Sequence, residues 1–406
     1  MPANGSRLPK SEATRLKLLD CAVQEIVEAG PDRLGFTAIA RRAGMSTGAL
    51  YARYENADEL LVDVWLHKCL PELRAVVSQI ESAAADDGGP ALLQLAEAVN
   101  SLDPVLLATA RILVCARRND TLFEVVNPSF HAVVDAAANS VPGIPYALSH
   151  VFGYILGASG TGLTHVDWVG PLTLAISSVA AASQGSVETK GVENHSETPF
   201  QPMGDEVDNK LFEAMADVIG KVGVERATVS RIARMAAVNP ATIYMRYEDK
   251  DALLERVVTI IAEMGVSRNS ALVRDFGERG IIDGGVAMFR GNATDEYSGV
   301  RRLRLETVMA SAIHPRLRDV QRRVYVEAVE RDAATLGASG ITSDPVLMAF
   351  AVHMRFAFYG HALVREYGYL APSDPWVESM LRNMFDRFAE MMSRFLSGTR
   401  ASTKKK

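Results

Sequence analysis

Apolar residues recur at helical spacing along nearly the whole chain, and no convincing run follows the strand period. From Ser11, positions Leu18, Leu19, Ala22, Val23, Ile26 and Val27 share one face, and the run stops at Gly30. In residues 35–43, Phe36, Ile39, Ala40 and Ala43 repeat that spacing. Gly44 then offers a left-handed turn residue, Ser46 an N-cap, and Leu50 with Tyr54 the buried stripe of a second short helix. Asn56 and Glu59 form a capping-box pattern before a helix expected to run through Trp65 to the mid-70s. Helices are then expected near 91–100, 104–117, 121–139, 145–166 and 171–184. The pattern predicts an all-α protein.

Residues 184–207 lose the apolar period and are rich in Gly, Ser, Glu and Pro, the composition of a linker. As a coil of about 24 residues it spans roughly 25–30 Å. Beyond it the plan starts again. Leu211, Phe212, Met215, Val218, Ile219 and Val222 form another apolar face. Helices follow near 250–265, 300–314, 316–336, 344–367 and 374–397. Sliding the chain by 193 positions, from 39 to 232, lays Ile39-Ala40-Arg41 on Ile232-Ala233-Arg234 and Tyr51 on Tyr244. Arg53-Tyr54-Glu55 then falls on Arg246-Tyr247-Glu248, Leu60-Leu61 on Leu253-Leu254, and Gly30 on Gly223. No gap is needed from Ile26 to Leu61. The bodies repeat more weakly: Asn119 matches His314, and Gly160-Thr161 matches Gly360-His361. Helix, four-residue break, helix is the geometry that places the second helix in a DNA groove, and this chain carries it twice.

Ile39-Ala40, Ala43-Gly44, Ser46, Leu50-Tyr51, Tyr54 and Leu60-Leu61, with Thr14-Arg15 upstream, resemble the DNA-binding domain of the TetR family of bacterial transcriptional regulators. The second copy, with Asn239-Pro240 opening its recognition helix, is the closer match. The resemblance implies two lobes, each an N-terminal helix-turn-helix domain followed by a helical ligand-binding and dimerisation domain. The expected boundaries are 1–56, 57–184, a linker at 185–207, 208–249, 250–398 and a basic tail at 399–406. It carries DNA contact to Arg15, Thr37, Arg41, Arg42, Ser46, Thr47, Gly48, Ala49, Tyr51 and Arg53 in the first head. In the second it carries it to Thr228, Arg231, Asn239, Pro240, Ala241, Thr242, Tyr244, Arg246 and Lys250. Tyr51 and Tyr244 are expected to bond phosphates, and Tyr54 and Tyr247 to be core. The first head departs from the pattern, with Gly35 for a Ser or Thr and Ala57 for a phosphate-binding Lys; the second departs with Ala237 where the first has Gly44.

Composition then narrows the partners. The 406 residues suggest more than one core, and 48% hydrophobic content is globular. No apolar stretch reaches the ~18 residues of a membrane helix on this reading, and the N-terminus has no signal-peptide core. A net charge of −6 argues against nucleic acid only until its location is read. Arg7, Lys10, Arg15, Lys17, Arg41, Arg42 and Arg53 gather in the first head. Cys21, Cys69 and Cys115 are too few and scattered for a disulfide frame or zinc site, which suits a reducing cytoplasm; the TetR resemblance implies a bacterial, nucleoid-associated protein there. The sequence holds no catalytic constellation, metal spacing or cofactor cradle, so it reads as no enzyme. His165 and Asp167 sit too close along a helix to converge as a pair. In the second body Met309, Phe350, His353, Met354, Phe358, Tyr359, His361 and Trp376 are candidates to line a pocket for an apolar or amphipathic effector, against the plainer reading that they are core.

The expected function is repression, relieved by a small molecule, with the two lobes paired inside one monomeric chain by their last helices, 145–166 and 171–184 against 344–367 and 374–397. Two alternatives are a small-molecule-binding protein with degenerate DNA binding and a ligand-independent architectural DNA-binding protein.

Overall fold

The computed structural model describes residues 10–86, 89–182, 205–275, 286, 289–335, 340–371, 379–384 and 386–387. Among the described residues the regular structure is entirely helical. The first head is α1 (Lys10–Ala29), α2 (Phe36–Ala43) and α3 (Gly48–Tyr51). α4 (Ala57–Val64) continues through a π-turn at Trp65–Cys69 into α5 (Leu70–Ala85). The helix thus runs past the mid-70s, because Leu73, Val76, Val77, Ile80 and Ala83 keep its buried face going. α6 (Gly89–Asn100), α7 (Pro104–Ala116), α8 (Asp120–Ala138), α9 (Ile144–Thr161) and α10 (Val169–Ala182) complete the first body. α9 stops short of 166. Asp167 beyond it caps α10 by accepting the Val169 N–H at 3.0 Å, and Trp168 stacks on Tyr154 at 4.4 Å, so both serve structure.

The second lobe opens with α11 (Glu206–Arg226), α12 (Val229–Met235) and α13 (Pro240–Arg246). α14 (Lys250–Asp275), longer than the expected 250–265, leads to α15 (Ser298–Ser311), α16 (Pro315–Thr335) and α17 (Pro345–Glu366). Most of the expected linker and most of 374–397 lie outside the described residues.

The lobes pack on each other chiefly through α9 and α17, with α10 also against α17. The two backbones touch. A Cβ on Gly360 would sit 1.6 Å from the Ser149 carbonyl oxygen, and one on Gly153 2.4 Å from that of Phe356. The small residues of α9 are therefore the groove α17 occupies. α17 is long and apolar enough to cross a membrane, contrary to the sequence expectation, but 67% of that stretch is buried inside the protein. Met380, Leu381 and Met384 are also buried, and the Tyr146 hydroxyl donates to the Met384 sulfur at 2.7 Å. Contacts nearer the heads are reciprocal. Gly30 of lobe one faces Ile313 of lobe two, while its counterpart Gly223 faces Arg118, the counterpart of Ile313. This is the self-complementary pattern of a two-fold interface.

Candidate nucleic-acid interface

Each head is built to hold one short helix outward. In the first, the Gly44 N–H bonds the Arg41 carbonyl and the Met45 N–H the Ala40 carbonyl at 2.9 Å, closing α2 with Gly44 left-handed at φ 64. The second head makes the same closure, Val238 N–H to Ala233 carbonyl at 3.0 Å, with Ala237 left-handed at φ 54. The starts differ. Thr228 caps α12 by accepting the Arg231 N–H, and Asn239 caps α13 by accepting the Ala241 N–H at 2.9 Å, with Pro240 in the first turn. Gly35 gives α2 no side-chain cap. The Ser46 cap expected for α3 is not made: the helix starts at Gly48 with Thr47 at its N-cap position and no side-chain bond there.

One residue of rotation then separates core from surface. Leu50 and Ile243 are fully buried, while Tyr51 and Tyr244, next in line, are 67% and 60% exposed. Tyr51 leans edge-on against Phe36, 5.0 Å between ring centres. Three residues on, the chain turns inward again. Tyr54 is buried and donates to Asp63 at 2.6 Å, and Tyr247, half-buried, donates to Asp208 at 3.0 Å. Burial first, and the carboxylate second, push the Tyr247 phenol up to about 12, so it stays a donor. Around each exposed tyrosine, Thr37, Ser46 and Gly48 in one head and Thr228, Asn239, Pro240 and Ala241 in the other are exposed. Thr47, Ala49 and Thr242 are half-buried.

The cations divide into engaged and unengaged groups. Arg15 pairs with Asp63 and with Glu12, Arg42 with Glu28 and Glu25, and Arg246 with Asp205 and Asp208. Arg53 donates to Ser11, Arg231 to the Arg226 carbonyl, and Lys250 to the Val224 carbonyl at 3.2 Å. Arg41 and Arg234 are exposed and have no carboxylate partner among the described residues. They are equivalents under the 193-residue shift. The sequence reading named Arg41 and passed over Arg234; the repeat itself was the signal. It also passed over Met245, 79% exposed beside Tyr244.

A buried ion cluster fixes one head against the other. Arg118, at the end of α7, donates to both Asp32 oxygens at 2.6 Å and to Glu306 of α15 at 2.7 Å. Burial pushes Glu306 up to about 7 against the pull of Arg118. Beside it Arg33 pairs with Glu225 at 2.7 Å, and Glu225 also meets His314. Asp32 and Glu225 are again positional equivalents: Glu225 is held across the lobes by Arg33, and Asp32 is tied to Glu306 of the other lobe through Arg118 of its own. Arg111, buried in α7, ties α1 to the first body by donating to the Ile26 and Val27 carbonyls and to Ser159.

The expected effector-pocket residues do not surround one space. Phe358 and His361 share a cleft; Met309 lines another, between the lobes; Phe350 fills the gap over Gly170. Tyr359 bonds Tyr325 and Gln321, the His353 ring contacts the Phe350 carbonyl, Met354 is half-buried at the core edge, and Trp376 lies outside the described residues.

Paired three-helix heads, each presenting an exposed tyrosine on an anchored second helix, define a helix-turn-helix DNA-binding protein of tandem build. The family model described as "Bacterial regulatory proteins, tetR family" matches residues 18–64 and again 211–257. The chain thus carries the DNA-binding unit of that family twice. Over 140 residues it is 26% identical to the uncharacterized HTH-type transcriptional regulator Rv2912c of Mycobacterium tuberculosis, covering 33% of this chain and 70% of that protein. The same figures hold for the regulator Mb2936c of Mycobacterium bovis. HTH-type transcriptional regulator AqdR of Rhodococcus erythropolis is 37% identical over 59 residues, 14% of this chain and 28% of its own. The chain is a DNA-binding transcriptional regulator.

Proposed function

We propose that this regulator is a repressor that binds one operator as a single chain, its two lobes standing in for the two subunits of a dimer, and leaves it when a small molecule enters a body. The observation that carries the reading is the pair of equivalent exposed tyrosines on heads joined by reciprocal contacts within one chain. In it Tyr51 and Tyr244 bond phosphates, Arg41 and Arg234 add backbone charge, and Thr47, Gly48, Ala49, Ala241 and Thr242 face base edges. The other candidate cations hold the heads' own architecture and reach DNA only by leaving the carboxylates, carbonyls or hydroxyl they now bond. The protein acts without catalysis, in the cytoplasm and in association with the nucleoid.

The test is footprinting of the whole chain on a duplex selected from random sequence, with salt titration. One chain per site, and binding that weakens steeply with salt, are expected. Two chains per site would sink the single-chain reading. Absence of preference over random DNA would favour the small-molecule-binding alternative. The second head has the better-capped recognition helix, so Tyr244→Phe should weaken binding more than Tyr51→Phe; equal losses would mean the heads contribute alike.

A further inference from the structure

We propose that the second body, and not the first, holds a small organic acid, bound as its carboxylate in the cleft between α15, α17 and residues 289–293. The inference rests on the effector reading above and names the chemistry of that effector.

Arg301, Arg304, Arg365 and His361 line the cleft, and Phe289 and Phe358 form its walls. Positive charge is in excess there. Arg301 donates to the Asn292 and Thr294 carbonyls, with its Nε 3.8 Å from Glu366. Glu366 also serves Arg302 at 2.8 Å and Arg117 at 3.8 Å. Arg365 meets Asp295 at 3.2 Å. Arg304 bonds only the neutral side-chain oxygen of Asn292, at 3.3 Å, and has no carboxylate partner among the described residues. Of the three arginines that line the cleft, Arg304 is thus the one a ligand anion would pair with directly. A carboxylate takes two parallel guanidinium bonds.

His361 is the second indication. It is 6% exposed and neither ring nitrogen has a hydrogen-bond partner among the described residues, an arrangement buried polar groups rarely keep. A ligand oxygen in the cleft would accept from its N–H. Phe289 and Phe358 stand edge-on to the same ring at 4.9 and 5.6 Å, so the ligand's remaining atoms meet apolar surface. The cleft holds only about 20 Å³ as it stands, room for one water. It opens at a wall already under strain, since Leu370 at its edge is a leucine at φ 57.

His361 also faces the first lobe, stacked on Tyr146 at 5.4 Å and edge-on to His150 at 5.1 Å, both from α9. A ligand that turns this ring acts on the lobe contact with no residue between. The first body lacks the histidine: the repeat places Thr161 where the second has His361, and its hydroxyl is spent on the Gly157 carbonyl.

The experiment is calorimetric titration of the full chain, without DNA, with benzoate and octanoate and their neutral counterparts benzamide and octanamide. At least one acid should bind at one per chain and about tenfold tighter than its amide. Arg304→Met should cost about tenfold or more, and Arg304→Lys should restore part of the loss. Unchanged melting of both variants excludes misfolding. The proposal is overturned if neither acid binds at millimolar concentration, if acid and amide bind alike, or if Arg304→Met binds as the parent does. An acid that binds at this site without altering operator affinity upholds the site and removes the effector reading; if neither acid binds while operator binding persists, the site is wrong and the DNA-binding reading stands.

Discussion

At the scale of single residues, the two heads offer one backbone position with two occupants. Gly44 and Ala237 are both left-handed, at φ 64 and φ 54, and a Cβ on Gly44 would meet nothing within 4 Å. Substitution there acts through the backbone alone. Gly44→Ala should destabilise the chain by about 1 kcal/mol, and Ala237→Gly should gain about half of that, because the glycine's freer unfolded state offsets part of the relief. Thermal melts of both variants check the opposite signs; two losses of equal size would mean the turn relaxes around alanine. The turn's place was legible from Gly44, while the strain at Ala237 became visible only by laying one head on the other. His150 makes a second residue-scale prediction. Burial, reinforced by His353 and opposed by the Tyr146 carbonyl, pushes it down to about 3, so it stays neutral against Tyr146, Tyr154 and His361. A folded-state pKa below the unfolded one gives stability that is present above about 6.5 and lost as pH falls towards 3. Each pH unit lost in that window costs up to about 1.4 kcal/mol. Urea midpoints at pH 7 and pH 5 should therefore converge in His150→Gln relative to the parent; an unchanged gap would place the acid sensitivity elsewhere.

Among elements, helix starts and stops written in the local code were readable, and those set by the other lobe were not. α1 ends at Gly30 and α7 begins at Pro104 after an Asp103 cap, as spacing and capping residues indicate. The continuation of α5 to Ala85 was missed because its buried face passes through a π-turn that shifts the period. The head tyrosines could be sorted into inward and outward by helical phase. The engagement of Arg15 with Asp63, and of Arg42 and Arg246, could not, since those carboxylates come from other helices or a distant turn. Nor could the role of the glycines in α9 be read, because it depends on α17 lying against them. Gly360→Ala tests that contact: a methyl placed 1.6 Å from the Ser149 oxygen must push the helices apart. Overpacking of this kind costs about 1–3 kcal/mol. The variant should melt lower and become open to proteases between the lobes, whereas an unchanged melt would show that the helices slide past one another freely.

For the whole molecule, the consequence of fusion is that symmetry can be kept in the frame and lost in the reading surface. Reciprocal packing of Gly30 on Ile313 and Gly223 on Arg118, with the Asp32–Arg118–Glu306 and Arg33–Glu225 pairs beneath, sets one head against the other much as identical subunits would be set. Half-sites on the DNA should accordingly lie about one helical turn apart, ~34–36 Å. The recognition helices, however, are no longer copies. α3 presents Thr47, Gly48 and Ala49, small groups that suit a thymine methyl or close backbone approach; α13 presents Ala241 and Thr242 after a proline without an N–H, with Met245 fully in the open. Different side chains read different base edges, and each good contact is worth about 1–3 kcal/mol of discrimination. A single chain should therefore select two dissimilar half-sites at conserved spacing. Selection from random duplexes, followed by inversion of one half-site in the winner, decides it. Inversion should weaken binding by about tenfold or more, the value of one such contact. If the winner is a perfect palindrome, or if inversion leaves affinity unchanged, the heads read DNA alike despite their sequences and the asymmetric operator is wrong.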